Sequence, residues 1–251
     1  FTYTGIMKRL LARDEDILNF IVRDYVRTAL PVSSGKIFER GAINASSATI
    51  RNAMLELDEE GFLEKPHTSA GRVPTDKAYR YFVNYLMERL KPPRREQEML
   101  DSIFGHIMER HDSMCEELAR ALSGHARLFT AVAMRGKRAG ITHAASYGLE
   151  HLMKEPEFED RDLARALAGL ADNLEDALGK YFEASDFEEA EVFIGEENPV
   201  RFAKSFSSLS VKFRDSEGGE CLIFSVGPKR LDYERTTSLI NFVREDMRQY
   251  E

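Results

Sequence analysis

Cysteine is scarce in this 251-residue sequence: Cys115 and Cys221 are the only two, far apart and without C-x-x-C spacing. That excludes a disulfide framework and a paired-cysteine redox or metal motif, and it suits a reducing compartment. Long uncharged runs are missing too. The longest stretch without Asp, Glu, Lys or Arg covers residues 139–149, about half of the roughly 20 apolar residues that a membrane-spanning helix needs. Lys8, Arg9, Arg13, Asp14, Glu15 and Asp16 interrupt the N-terminal stretch, so the apolar centre of a signal peptide is absent. A cytoplasmic location with no membrane partner is expected.

Catalytic signatures are equally sparse. There is no Gly-rich phosphate loop and no G-x-S-x-G. His111 and Cys115 stand four residues apart, a spacing that places two ligands on one helix face. No further ligand is evident near them, and exposed helix residues are the plainer reading. Glu196 and Glu197 have no partnered nucleophile or base in a recognisable motif and read as a turn with solvated acids. No enzyme activity, cofactor or metal is expected.

What the sequence does contain is an uneven charge. It is 43% hydrophobic and 31% charged, with a formal net charge of −8, as expected of a globular protein large enough for two domains. Residues 1–95 carry 16 Lys and Arg against 12 Asp and Glu, a net +4, and the remainder carries 19 against 31, a net −12. A basic module on an acidic body suits phosphate binding at one end and exclusion of nucleic acid from the other.

The basic module reads as helices separated by turns. Asp14, Glu15 and Asp16 complement the dipole at the start of a helix, along which Ile17, Phe20, Ile21 and Val26, flanked by Leu18 and Tyr25, form an apolar stripe. Pro31-Val-Ser-Ser breaks it. A short helix over residues 35–40 starts from a Ser cap, and Gly41 suits its C′ position. Ser46 or Ser47 then caps a third helix to about residue 60, with Ile50, Met54, Leu55 and Leu57 as its buried stripe. Thr49 and Asn52 share the outer side, with Arg51 at its edge. Helix, turn, capped helix is the arrangement in which the first turn of the second helix meets base edges. Arg bonds guanine, Asn bonds adenine, and Ser or Thr bonds phosphate or either base. Beyond Gly61, the segments Phe62-Leu-Glu-Lys and Arg72-Val-Pro flank Pro66-His-Thr-Ser-Ala-Gly. This reads as a hairpin-like wing whose tip offers His67, Ser69 and Arg72 to DNA.

These motifs carry a resemblance. Ser47-Ala-Thr-Ile-Arg-Asn, the run from Leu63 to Lys77, and Tyr79-Arg-Tyr resemble the heat-inducible transcription repressor HrcA family. So does a second block: Pro156-Glu-Phe, Ile194-Gly-Glu-Glu-Asn-Pro and Gly227-Pro-Lys-Arg-Leu-Asp-Tyr. The resemblance implies an α+β protein with an N-terminal winged helix-turn-helix domain, a long linker helix and a C-terminal GAF-like domain. It implies a cytoplasmic homodimer that represses chaperone genes from an inverted-repeat operator of the CIRCE type, assisted by a GroEL-type chaperonin. Ser46, Ser47, Thr49, Arg51, Asn52, His67, Ser69 and Arg72 are the expected DNA-binding residues. The sequence departs from the family pattern at Ala53 and Ala78. It departs again in the interval before Pro156-Glu-Phe, where only residues 126 to about 147 stand for a usually longer insertion that carries dimerisation. The GAF-like sheet is therefore expected to be short.

The expected domains are residues 1–90, 91–125 and 126–251. Lys91-Pro-Pro-Arg-Arg is a linker, its prolines stopping a helix that begins near Thr75. One long helix over residues 96 to about 123 follows, with Met99, Ile103, Ile107, Met114, Leu118 and Leu122 near one face, suited to a dimer contact, to a lever or to packing in its own domain. Strands are expected near residues 128–134, 141–147, 190–194, 206–213 and 221–226, with helices over 160–182 and 232–248. As an alternative function, the GAF-like domain would sense a small-molecule effector and the wing module would report it.

Overall fold

The computed structural model describes residues 7–41, 43–66, 71–107, 113–136, 140–214 and 218–247; His67, Ser69 and His111 lie outside them. It is an α+β fold of two compact units. One holds the described residues up to 88 together with Lys229–Asp232, and the other holds the described residues of 89–228 and those from 233 onward.

In the first unit, α1 (Ala12–Thr28) begins with Asp14 and Glu15 and ends at Ala29 in the left-handed region, φ 54°. Its core face is Ile17, Leu18, Ile21 and Val22. Phe20 and Val26, expected in the stripe, are half-buried, because a helical face made of Ile17, Leu18, Ile21 and Val22 leaves both at its margins. Ser33 caps α2 (Ser34–Glu39), accepting the Lys36 N–H at 3.1 Å, and Gly41 follows with φ +60°. Ser46 caps α3 (Ser47–Glu59), accepting the Thr49 N–H at 3.1 Å. The C-terminal end of α3 is a Schellman motif: Gly61 has φ +78°, its N–H bonds the Asp58 carbonyl at 2.9 Å, and the Phe62 N–H bonds the Leu57 carbonyl at 2.8 Å. A two-stranded antiparallel ladder follows, β1 (Leu63–Glu64) against β2 (Val73–Pro74). An antiparallel bridge joins Val32 to Arg72 just before β2. Then come α4 (Asp76–Tyr81) and a π-helical turn, Phe82–Leu86. The helix therefore ends at Leu86, short of the prolines, by widening its last turn: the Met87 N–H reaches the Phe82 carbonyl at 2.8 Å.

The second unit is a five-stranded antiparallel sheet with helices on both faces. The strands are β3 (Phe129–Arg135), β4 (Ile141–Tyr147), β5 (Glu191–Ile194), β6 (Ser207–Arg214) and β7 (Glu220–Gly227), in the order β4-β3-β7-β6-β5. The expected long helix is two elements, α5 (Arg94–Ile107) and α6 (Met114–Ala126). Met114, Leu118 and Leu122 are buried as α6 packs on β3 and β4, so the apolar stripe of α6 packs within its own unit. A short helix, α7 (Leu149–Leu152), leads to the Pro156–Glu159 turn, where Phe158 stacks on Phe206 with centroids 5.9 Å apart. The helix expected over 160–182 breaks at Asn173 into α8 (Arg161–Asp172) and α9 (Leu174–Ala184). The last helix is α10 (Tyr233–Met247).

Both faces of the sheet are covered at β6 and β7. Tyr181 of α9 meets Phe224 at 4.4 Å on one face, and Tyr233 of α10 bonds Ser207 at 2.7 Å on the other. Strands buried on both faces show no in–out alternation, and β6 and β7 are almost wholly buried. Their interior hydroxyls bond one another: Thr130 to Ser225 at 2.9 Å, Ser185 to Ser210 at 2.5 Å. Asn198, in the Ile194-Gly-Glu-Glu-Asn-Pro motif, donates to the Gly195 and Phe206 carbonyls and accepts from Tyr181 and Ser208. The motif is thus a buried bracket for the turn after β5. Glu197 accepts the Ile194 N–H at 2.8 Å and Glu196 pairs with Lys204 at 2.8 Å, in keeping with a turn rather than a catalytic pair.

Candidate nucleic-acid interface

The outer face of α3 is built by its cap and its stripe. Ser46 sets the start, and Ile50, Ala53, Met54 and Leu57 are buried. Leu55, expected inside, is 44% exposed; Ala53 lies on the core side instead, one residue off the expected stripe. That phase turns Arg51 and Asn52 to solvent. Neither has a side-chain hydrogen bond or ion pair to another described residue. Ser46 is exposed, and Ser47 and Thr49 are half-buried. The Thr49 hydroxyl bonds the Ser46 hydroxyl at 2.8 Å, so Thr49 belongs to the cap as much as to the outer face.

The electrostatics distinguish α2 and α3. Among the described α-helices these are the two with no Asp or Glu in the first turn, whereas α1, α4 to α6 and α8 to α10 each have one or more. An acid in the first turn neutralises the helix N-terminus, and without one the free N–H groups keep their affinity for an external anion. The acids of α3 are at its other end, at Glu56, Asp58 and Glu59.

Two braces fix this geometry. Asp24 of α1 is 4% exposed and bonds Lys36 of α2 at 2.5 Å and Arg27 at 2.9 Å. Burial pushes its carboxyl up, but the hydrogen bonds from Lys36 and Arg27 outweigh that and hold it below the ordinary carboxylate value. Tyr81 donates to Glu15 at 2.5 Å and accepts the Leu10 N–H at 2.8 Å. Burial, and then the Glu15 carboxylate, raise its pKa.

Arg72 behaves differently from the expectation. Its residue is 7% exposed, and its guanidinium pairs with Asp58 at 2.8 Å, at the C-terminal end of α3. Its backbone exchanges hydrogen bonds of 2.9 and 2.8 Å with Val32. Its side chain therefore points inward and ties the base of the hairpin to α3. Gly71 shows how close the approach is: a Cβ there would lie 2.4 Å from the Val32 carbonyl oxygen. Thr75 and Lys77, from the same motif, bond the Gly61 and Glu60 carbonyls at 2.7 and 2.6 Å. These contacts satisfy carbonyls that the end of α3 leaves without partners.

Sequence reasoning passed over two further cations. Arg40, at the end of α2, and Lys65, after β1, are exposed and form no ion pair within 4 Å among the described residues. The Lys and Arg excess of residues 1–95 is the signal that pointed to them. No group of three or more His, Cys, Asp or Glu able to hold a metal occurs among the described residues. Cys115 is buried, and burial, with the nearby Glu116 charge, pushes its thiol up to about 11. No described helix is long and apolar enough to cross a membrane.

Comparison with known proteins gives a consistent picture. A family model described as "HrcA protein C terminal domain" matches residues 46–237, more than half of the chain. The heat-inducible transcription repressor HrcA of Syntrophobacter fumaroxidans is 40% identical over 121 residues, 48% of this chain and 35% of that protein. That of Carboxydothermus hydrogenoformans is 42% identical over 122 residues, 49% of this chain and 36% of that protein. The chain thus spans about a third of the length of these relatives. That of Thermodesulfovibrio yellowstonii is 23% identical over 328 residues, 91% of this chain and 94% of that protein. A solved structure described as "Crystal structure of a hypothetical protein at 2.2 A resolution" superposes with a TM-score of 0.70 at 19% identity, covering 96% of this chain and 97% of that one; it shows the fold alone.

Proposed function

We propose, from the premise that the chain belongs to the HrcA family, that it is a winged-helix repressor reading an inverted-repeat operator as a homodimer, with α3 as its recognition helix. The observation that carries this reading is the N-terminal half of α3. It is capped by Ser46, bare of acids in its first turn, and turns Arg51 and Asn52 to solvent. In the major groove Arg51 bonds guanine and Asn52 adenine, while Ser46, Ser47 and Thr49 offer hydroxyls, and the α3 N-terminus its N–H groups, to phosphate. The hairpin of β1 and β2 is the wing, His67 and Ser69 meet the backbone or the minor groove, and Arg72 serves by holding the wing against α3. Arg40 and Lys65 add phosphate contacts. The five-stranded unit is the GAF-like domain, used as scaffold. A small-molecule sensor draws less support, because the interior hydroxyls and amide there bond one another. Repression of chaperone genes and assistance by a GroEL-type chaperonin complete the proposal, and family membership supports them.

Operator binding through a temperature ramp, with and without chaperonin, tests this. Expected are preference for the inverted repeat over a scrambled duplex, loss of binding on heating, and its return with chaperonin. Equal binding to both duplexes would overturn the reading. Indifference to chaperonin would remove only the regulatory half.

A further inference from the structure

The sheet has two edges, and they are protected very differently. Natural edge strands are kept from pairing by short length, charge, proline or a bulge. At one edge, β5 is four residues long and opens with Glu191, just after Glu188 and Glu189. At the other edge, β4 is seven residues, Ile-Thr-His-Ala-Ala-Ser-Tyr, with no charge, proline or glycine. Thr142, His143, Ala144 and Ser146 are exposed. The one register irregularity pairs Met134 with His143 and Arg135 with Ile141, so the extra residue is Thr142 at the start of β4; beyond that bulge, His143 to Tyr147 run in continuous register with β3.

Charge and apolar surface point to the occupant. The uncharged stretch of residues 139–149 contains the whole of β4, in a chain whose residues after 95 carry a net −12. β4 carries no Asp, Glu, Lys or Arg, so two copies meeting along it set no acid against acid within the strand. Directly after β4, Leu149 and Met153 are 41% and 51% exposed and extend the apolar area beyond the strand. Antiparallel pairing of one strand with its own copy is twofold symmetric, the symmetry of most homodimers. Centred on Ala144, it sets Ala144 opposite its own copy and His143 opposite Ala145.

We propose that β4 is the surface through which two copies of this chain associate, pairing edge to edge into one continuous sheet. The inference names the interface of the dimer proposed above and rests on that reading. Sedimentation of the full chain, its Ala144→Lys variant and its Ala144→Cys variant tests it. The wild type should sediment as a dimer. Ala144→Lys, which sets like charges opposite each other, should weaken association by about tenfold or more. Ala144→Cys should cross-link to itself on mild oxidation, while the wild type, whose Cys115 and Cys221 are buried, should not. A wild-type dimer that Ala144→Lys leaves intact and Ala144→Cys fails to cross-link would overturn the β4 interface and leave the dimer standing. A wild-type monomer would overturn both. Should Ala144→Lys fail to fold, as read by circular dichroism, the cross-link alone decides.

Discussion

Arg51 and Arg72 are both arginines beside α3, yet the structure gives them opposite tasks. Arg51 is exposed and unpaired among the described residues, whereas Arg72 is buried against Asp58. Arg51→Ala should therefore fold normally, cost about 1–3 kcal/mol of operator affinity and relax preference at one base pair. An equal loss on every duplex would make Arg51 a phosphate contact instead. Arg72→Ala should leave the salt dependence of binding unchanged but lower the melting temperature. It strands a half-buried Asp58 carboxylate, a loss of about 1–3 kcal/mol. A melting curve like the wild type's with a shallower salt slope would return Arg72 to the DNA. Asp24 adds a pH dependence. Its folded pKa lies below the ordinary value of 3.8. Its contribution is thus fully present above that value and is lost as pH falls through the folded pKa. Asp24→Asn should unfold more easily in urea at neutral pH, by about 1–2 kcal/mol given the solvent exposure of Lys36 and Arg27. The difference from wild type should shrink below about pH 3.8. A gap constant with pH would show that Asp24 acts through shape and not charge.

Among the elements, the junction of α2, α3 and the hairpin is a point where a single added methyl group has no room. Gly71→Ala must move the Val32 carbonyl, because that contact is to backbone, which has no rotamer to yield. The expected loss is about 1–3 kcal/mol, seen as a lower melting temperature with weaker operator binding; an unchanged Tm would show that the bridge yields freely. The helices of the first unit and their caps were legible in the sequence, since Ser33, Ser46, Gly41 and Gly61 act on neighbours within a few residues; α7 and the division of residues 96–123 between α5 and α6 were not. The five strands of the larger sheet were legible for the same reason, as short runs between turns. What was not legible lies between distant residues. The inward turn of Arg72 depends on Val32 and Asp58, 40 and 14 positions away, whereas the burial of Ala53 in place of Leu55 follows the i, i+3, i+4, i+7 spacing of Ile50, Ala53, Met54 and Leu57 and was open to sequence reasoning. The break at Asn173 was hidden because α8 and α9 each continue a helical pattern across it.

For the whole molecule, charge divides the labour between a net +4 over residues 1–95 and a net −12 over the rest. The acidic part discourages non-specific adhesion to DNA, so binding must be carried by a small number of cations on the basic module. Arg40, Arg51 and Lys65 are exposed cations with no ion pair among the described residues. If Arg40 and Lys65 each neutralise one phosphate while Arg51 reads its base, log K should fall against log salt with a slope of about −2 for one protomer on a half-site and about twice that for a dimer on the full inverted repeat. Removing Lys65 should lower the slope by about one unit per protomer while leaving sequence preference intact, which separates a positioning contact from a reading one. A half-site slope equal to the full-site slope would mean that a single copy engages the operator. A slope near zero on both would take the interface away from this face of the molecule altogether.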